Sequence, residues 1–333
     1  INVSTKAVEK QNEYYCMPDN IHNTLFCNED NIGSTIRESI SRINDTSLSA
    51  LEWINSRYAP TPTIIEAAQA LYRKHDVEDI SRNDAGAKNL TITTEAISNI
   101  IDQCKKNSKK AICFVTGVPG AGKTLAGLNI ANERHHFNED EHAVFLSGNG
   151  PLVDVLQNAL AIDRAEREGI TKKNALRETN AFIQIIHKFR DDALTTDMAP
   201  VEKVAIFDEA QRAWNKESLA DFMRRKKGIP DFNQSEPEFL ISIMDRHEDW
   251  AVIVCLVGGG QEIYNGEAGI QDWFETLANN YPDWKIYLSD KITDTEYVGK
   301  SDIPTLLNGR EYHCISDLHL GVSCLLYTSD AAD

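Results

Sequence analysis

Between an apolar run, Ala111-Ile-Cys-Phe-Val-Thr116, and a helical one, Leu125 to Arg134, the chain places Gly117-Val-Pro-Gly-Ala-Gly-Lys-Thr124. A strand that turns sharply into a helix through glycines leaves its turn amides pointing inward, where the helix N-terminus adds partial positive charge. Such a turn is a phosphate loop. The amides of Gly117, Gly120, Ala121 and Gly122 are therefore the expected phosphate-binding groups. Lys123 is expected to reach the β- and γ-phosphates, and the Thr124 hydroxyl to sit on Mg²⁺. A turn of this kind belongs in an α/β sheet whose strands and helices alternate.

A second apolar run, Val204-Ala-Ile-Phe207, reads as a buried parallel strand that presents Asp208 at its carboxyl end, followed by Glu209-Ala-Gln211. Ligands of open α/β sheets gather at that edge. Asp208 is expected to hold Mg²⁺, directly or through water, and Glu209 to polarise the attacking water. A third strand, 251 to 257, runs into Val257-Gly-Gly-Gly-Gln261-Glu-Ile-Tyr264, where Gln261 can feel the γ-phosphate. Gln211 and Gln261 are the expected couplers of phosphate state to neighbouring contacts.

The remaining pattern supplies the sheet. Strands at 111–116, 143–147, 203–207 and 251–257 alternate with helices at 122–135, 151–167, near 174–190, near 215–226 and 237–247, and further strands are expected at 284–288 and 313–322. The fold class is thus α/β, a doubly wound parallel sheet. Residues 34–90 form a helical lead-in, with apolar steps at Ile36, Ile40 and Ile43, at Leu48, Leu51 and Ile54, and at Ile64 to Tyr72. Asp84-Ala-Gly-Ala reads as a loop, after which Thr93 or Thr94 caps a helix through Cys104. The ATPase domain is set at 91–300, the start of a second region at 301–323, and residues 1–33 are read as the remnant of an upstream domain. Cys324 to Asp333 resembles translated sequencing adapter and is set aside.

Composition narrows the class. With 333 residues, 41 % of them hydrophobic, the chain has ample material for a packed core, and no apolar stretch has the length of a membrane span. Seven cysteines without a C-x-x-C pair read as reduced thiols, and a cytoplasmic location is the expectation. The formal charge of −17 argues against an indiscriminate nucleic-acid surface but leaves room for a local basic groove. Two clusters offer one, Lys105-Lys106 with Lys109-Lys110, and Arg224-Arg225-Lys226-Lys227. Each is either a solvated helix face or a set of phosphate contacts.

Gly117 to Thr124, Ser147-Gly-Asn149-Gly-Pro-Leu152, Ile206-Phe-Asp-Glu-Ala-Gln-Arg-Ala-Trp214 and Val257 to Tyr264 together resemble the bacterial Schlafen group 3-like DNA/RNA helicase domain family, over roughly residues 57 to 323. The resemblance implies a RecA-like P-loop NTPase fold and ATP chemistry. The last stretch is similar to a Gly-Asp…Gln-x-Ile-Tyr element of superfamily 1 helicases, with Gly259 standing where they carry an aspartate. Ala143 to Leu152 is similar to the strand and loop that contact single-stranded nucleic acid in those helicases, which makes Asn149 a candidate contact alongside Arg224 to Lys227; it also reads as a plain strand-to-helix connection. The expected function is a helicase-like nucleic-acid motor or remodeller acting on DNA or RNA. The alternative is a nucleotide-gated switch that acts on a protein partner. The family continues beyond Leu320-Gly-Val-Ser323 into an arginine-bearing segment, so slow turnover is expected of the chain as given.

Overall fold

The computed structural model describes residues 2–4, 26–28, 30–41, 63–73, 84–134, 141–259, 266–298 and 302–322. Gln261, Tyr264, the helical pattern between 42 and 62 and the tail 324–333 lie outside the described residues. The chain divides into two compact units, Ile1–Ala59 and Pro60–Asp333. In the first, β1 (Asn2–Ser4) pairs in parallel with β2 (Phe26–Asn28), and α1 (Ile32–Ser41) follows.

The second unit opens with α2 (Ile64–Tyr72), α3 (Asp84–Asn107), β3 (Lys110–Gly117) and α4 (Lys123–Glu133). It continues through β4 (Ala143–Ser147), α5 (Gly150–Glu168), α6 (Lys172–Phe182), β5 (Ile183–Ile185), α7 (Ile186–Ala193) and β6 (Val204–Phe207). After a 3-10 turn at Ala210–Arg212 come α8 (Lys216–Phe222), which widens into a π turn at Met223–Lys227, α9 (Glu236–Asp245), β7 (Ala251–Gly258) and α10 (Gly269–Asn280). The remainder is β8 (Lys285–Ser289), α11 (Thr295–Val298), α12 (Ile303–Leu306), β9 (His313–Ile315) and β10 (His319–Leu320).

The strands lie in the order β5-β4-β6-β7-β3-β8-β9, with β10 alongside the carboxyl end of β3, and every pairing is parallel. Parallel central strands are covered on both faces, which is why their sequences are apolar throughout rather than alternating. Along β7, Ile253, Cys255 and Val257 pack with Leu240, Trp273 and Phe274 on one face. Val252, Val254 and Leu256 pack with Ile97, Ile101, Ile130 and Leu156 on the other. The result is the three-layer, doubly wound α/β architecture of a RecA-like fold, as the sequence predicts.

Three local expectations are corrected. Asp84-Ala-Gly-Ala is no loop: the helix starts at Asp84 and runs to Asn107, with Thr93 and Thr94 buried in its interior rather than capping it. Leu90, Ile97, Ile101 and Cys104 are all buried, and that tertiary packing outweighs the weak helix preference of threonine and of Gly86. The helical stretch expected near 174–190 is broken by β5, because Ile183-Gln-Ile185 pairs with Phe145 to Ser147 of β4. The strand expected at 313–322 splits into β9 and β10 around a 3-10 turn at Ser316–Leu318. Helix α10 was not foreseen.

Helix α4 lies directly on the sheet because Gly127 has no side chain. A β-carbon there would stand 2.8 Å from Leu256 Cδ1 and 3.0 Å from both Ile206 Cγ2 and Phe145 Cε2. Gly127→Ala should therefore destabilise the protein by about 1–3 kcal/mol through overpacking, despite alanine's better helix propensity. Urea denaturation checks this; an equal or raised midpoint would mean that α4 can lift off the sheet without cost.

Candidate functional site

The carboxyl ends of β3, β7 and β6 lie side by side, so the glycine-rich loop after β3 and the acidic pair after β6 flank the end of β7. Gly120 and Gly122 take left-handed backbone angles, φ 73° and 86°, that side chains disfavour. Gly117 is required for a different reason. A β-carbon there would stand 2.8 Å from Leu320 Cβ, because β10 pairs against Thr116 and Gly117 and the Val118 amide donates to the Leu320 carbonyl at 3.1 Å. Asn89 fastens β10 in turn, donating to the His319 carbonyl at 3.2 Å and accepting from the Gly321 amide at 2.9 Å.

Lys123 folds onto its own loop, donating to the carbonyls of Gly117 at 2.7 Å and Val118 at 3.3 Å. Burial lowers its ammonium pKa, against the opposing pull of Glu209, Asp208 and Glu296. Thr124 Oγ1 donates to Asp208 Oδ1 at 3.2 Å, so the fold brings together two residues far apart in the chain. Burial, with the neighbouring Glu209 charge, pushes the Asp208 carboxyl up to about 7.

Glu209 is held in the left-handed region, φ 55° and ψ 48°, a conformation that costs a residue with a β-carbon about 1–3 kcal/mol. Its carboxylate accepts from Gln211 Nε2 and lies 3.8 Å from Arg212 Nε. The buried Gln211 also accepts, through Oε1, from the Gly258 amide at 3.1 Å, so one side chain ties the acidic turn to the end of β7. The turn is anchored from below by Trp273, whose indole N–H donates to the Ala210 carbonyl at 3.0 Å.

A cleft of about 520 Å³ opens beside Thr124, Asp208 and Glu209, and Asn149, His187 and Trp214 form its far wall. Asn149 caps α5, its side chain accepting from the Leu152 amide at 3.3 Å. Trp214 lies against the His187 ring, 5.4 Å between centroids, and its amide donates to Glu236 at 2.9 Å. The Arg224 to Lys227 cluster sits on the π turn, where Arg224 and Arg225 both pair with Asp221 and Lys227 pairs with Asp191. Arg225 and Lys226 line a separate cleft that shares Trp214 as a wall. In the other basic cluster, Lys105 pairs with Glu141 and Lys110 with Asp245.

Two residues of this neighbourhood escaped the sequence reading. Trp214 was quoted within a motif but given no task. Glu296 had no local signal at all: a β-carbon on Gly259 would stand 2.9 Å from its carboxyl carbon and equally close to the Tyr297 ring. Glycine at 259 thus leaves the end of β7 open to a carboxylate from α11.

The raised carboxyl pKa of Asp208 has a consequence for the metal-free protein. Its contribution to stability is present below about 3.8 and is lost as pH rises through about 7, because the folded state holds the proton more tightly than the unfolded state does. In EDTA, wild-type melting temperature should therefore fall between about pH 4 and 7 relative to that of Asp208→Asn. Parallel profiles for the two proteins would show that Asp208 keeps an ordinary pKa.

Among the described residues no helix is long and apolar enough to cross a membrane. No curated protein matches the chain. Residues 110–323 match the family of the Schlafen group 3 DNA/RNA helicase domain, a span that begins with β3 and takes in the glycine-rich loop, the acidic turn and every later strand. The chain belongs to that helicase-domain family.

Proposed function

We propose that this domain binds and hydrolyses ATP and couples the reaction to movement along, or remodelling of, DNA or RNA. The observation that carries the reading is the Thr124 hydroxyl set against the Asp208 carboxylate, at the mouth of a loop whose amides and lysine suit phosphate. Lys123 exchanges its two carbonyl partners for phosphate oxygens. Thr124 and Asp208 are hard oxygen donors, and a buried carboxylate pushed up to about 7 is a group whose charge a divalent cation stabilises, so these residues fit Mg²⁺. When bound, the ion supplies neutralisation of phosphate charge.

Glu209, beside Asp208 and facing the cleft, takes the proton of the attacking water. Gln211 reads the end of β7 through the Gly258 amide and the acidic turn through Glu209, and passes the nucleotide state between them. In this reading Gln261 extends that coupling, the Asn149, His187 and Trp214 wall meets the nucleic acid, and the protein works in the cytoplasm. A second reading, a nucleotide-gated switch acting on a protein partner, is favoured by the ion pairs that occupy three of the four cations at 224–227.

The two readings separate in one assay. Hydrolysis should rise severalfold on adding single-stranded DNA or RNA, and the stimulation should fade with salt, because phosphate contacts release counterions. Hydrolysis indifferent to either nucleic acid would leave the switch standing and remove the motor.

A further inference from the structure

The basic runs visible in the sequence are largely consumed by ion pairs, which directs attention to cations that do not form runs. Lys173 and Arg177 stand one turn apart on α6, and Lys188 lies in the first turn of α7. All three are exposed, and none forms an ion pair among the described residues. They converge on one cleft of about 620 Å³ at the outer edge of the sheet. His142, the residue before β4, and Glu202, two residues before β6, form its floor. The amino ends of parallel strands share one side, so this cleft opens at the sheet end opposite the glycine-rich loop.

The other groups of the cleft suit a ligand with hydrogen-bonding edges. Asn174, Asn180 and Gln184 bring three primary amides, and the Asn180 amide oxygen is buried without a hydrogen-bond partner. A buried acceptor left unpaired is costly, and a donor from a ligand removes that cost. Glu202 is the one carboxylate that lines the cleft. Burial raises its pKa, with His142 and Lys188 pulling against that and Asp192 adding to it. Three cations against one carboxylate leave an excess of positive charge in a chain of formal charge −17.

We propose that this cleft is an auxiliary site for the backbone of single-stranded nucleic acid, separate from the nucleotide site and from the wall formed by Asn149, His187 and Trp214. No phenylalanine, tyrosine or tryptophan lines it and His142 is its one aromatic ring, so base stacking contributes little and binding there is governed by phosphate charge, with little sequence preference. A free phosphate would leave most of the volume empty, and duplex DNA would present a ridge rather than a strand that can enter. The inference rests on nucleic acid being the substrate class.

The test is fluorescence anisotropy with labelled oligo-dT and oligo-U of about 20 nucleotides, long enough to exceed a single-site footprint. The proteins are the wild type, K173E/R177E/K188E, and the milder K173Q/R177Q/K188Q. All three residues are exposed, and thermal melts confirm folding. At low salt the charge reversal should weaken binding by at least about tenfold, and the neutral variant should flatten the slope of log K against log salt by about 2, close to 0.7 per lost phosphate contact. ATP hydrolysis measured without nucleic acid should be unchanged. Oligonucleotide affinity and salt slope equal to wild type in both variants overturn the proposal, as does loss of binding to an acidic peptide in place of the oligonucleotide. A wild type that hydrolyses no ATP yet loses oligonucleotide binding in the variants would sink the motor reading and leave this site in place.

Discussion

Replacing Glu209 with Gln is expected to lower ATP hydrolysis by roughly 10²- to 10⁴-fold while nucleotide affinity stays within about twofold. The carboxylate sits one residue beyond Asp208 and shares the cleft with Thr124, so it is close to the proposed phosphate position without being one of the two oxygen donors proposed for Mg²⁺. Gln keeps the shape and removes the base. Glu209→Gly is the informative companion. It releases a left-handed backbone that any side chain strains, so it should leave the protein as stable or about 1 kcal/mol more stable while abolishing hydrolysis. A position whose natural residue lowers stability and raises activity is kept for its chemistry. Labelled-nucleotide binding and phosphate release, read alongside a denaturation curve, check both variants. Hydrolysis within about threefold of wild type in Glu209→Gln would take Glu209 out of the reaction.

The parts of this site written in contiguous residues were legible in the sequence. A strand, a glycine turn and a helix occupy Lys110 to Glu133 without interruption, and periodicity with the special backbone needs of glycine suffices to find them. Asp208 was found in the same way, from the apolar run that ends just before it. What the sequence hid are contacts that exist only once the sheet is assembled. The Leu320 side chain that makes Gly117 obligatory comes from the other end of the domain, and nothing local distinguishes it from any buried leucine. Glu296 reaches Gly259 from a four-residue helix too short to read. The run of four basic residues at 224–227 looked like a free patch, yet three of its four cations are held in ion pairs by Asp221 and Asp191, whereas Lys173, Arg177 and Lys188 are scattered in the chain and gathered by the fold. Short strands suffer similarly. Three residues of β5 cannot outvote the helical periodicity on either side, and their identity comes from the hydrogen bonds β4 offers them.

Breaking the Arg190–Glu236 pair should produce the largest loss of stability, about 3–5 kcal/mol for either Arg190→Ala or Glu236→Ala. The Arg190 side chain is wholly buried and that of Glu236 is 4 % exposed, and they meet at 2.8 Å. Burial lowers the guanidinium pKa and raises the carboxyl pKa, each opposed by the other partner, so removing either leaves a desolvated charge with no counterion. Arg190 also lies over the rings of Phe222 and Trp214, at 4.9 and 5.4 Å, and the second Glu236 oxygen holds the Trp214 amide. The pair is thus a pillar beneath one wall of the cleft beside Asp208 and Glu209. Replacing both residues together, Arg190→Met with Glu236→Gln, should cost clearly less than the sum of the single losses, because no unpaired charge remains. The double variant should nonetheless lose nucleic-acid stimulation, since Trp214 no longer has its charged supports, while unstimulated hydrolysis falls less. Denaturant titration and stimulated hydrolysis measured on the same three proteins decide it. Single variants destabilised by under about 1 kcal/mol would show that water reaches the pair and that the wall stands without it.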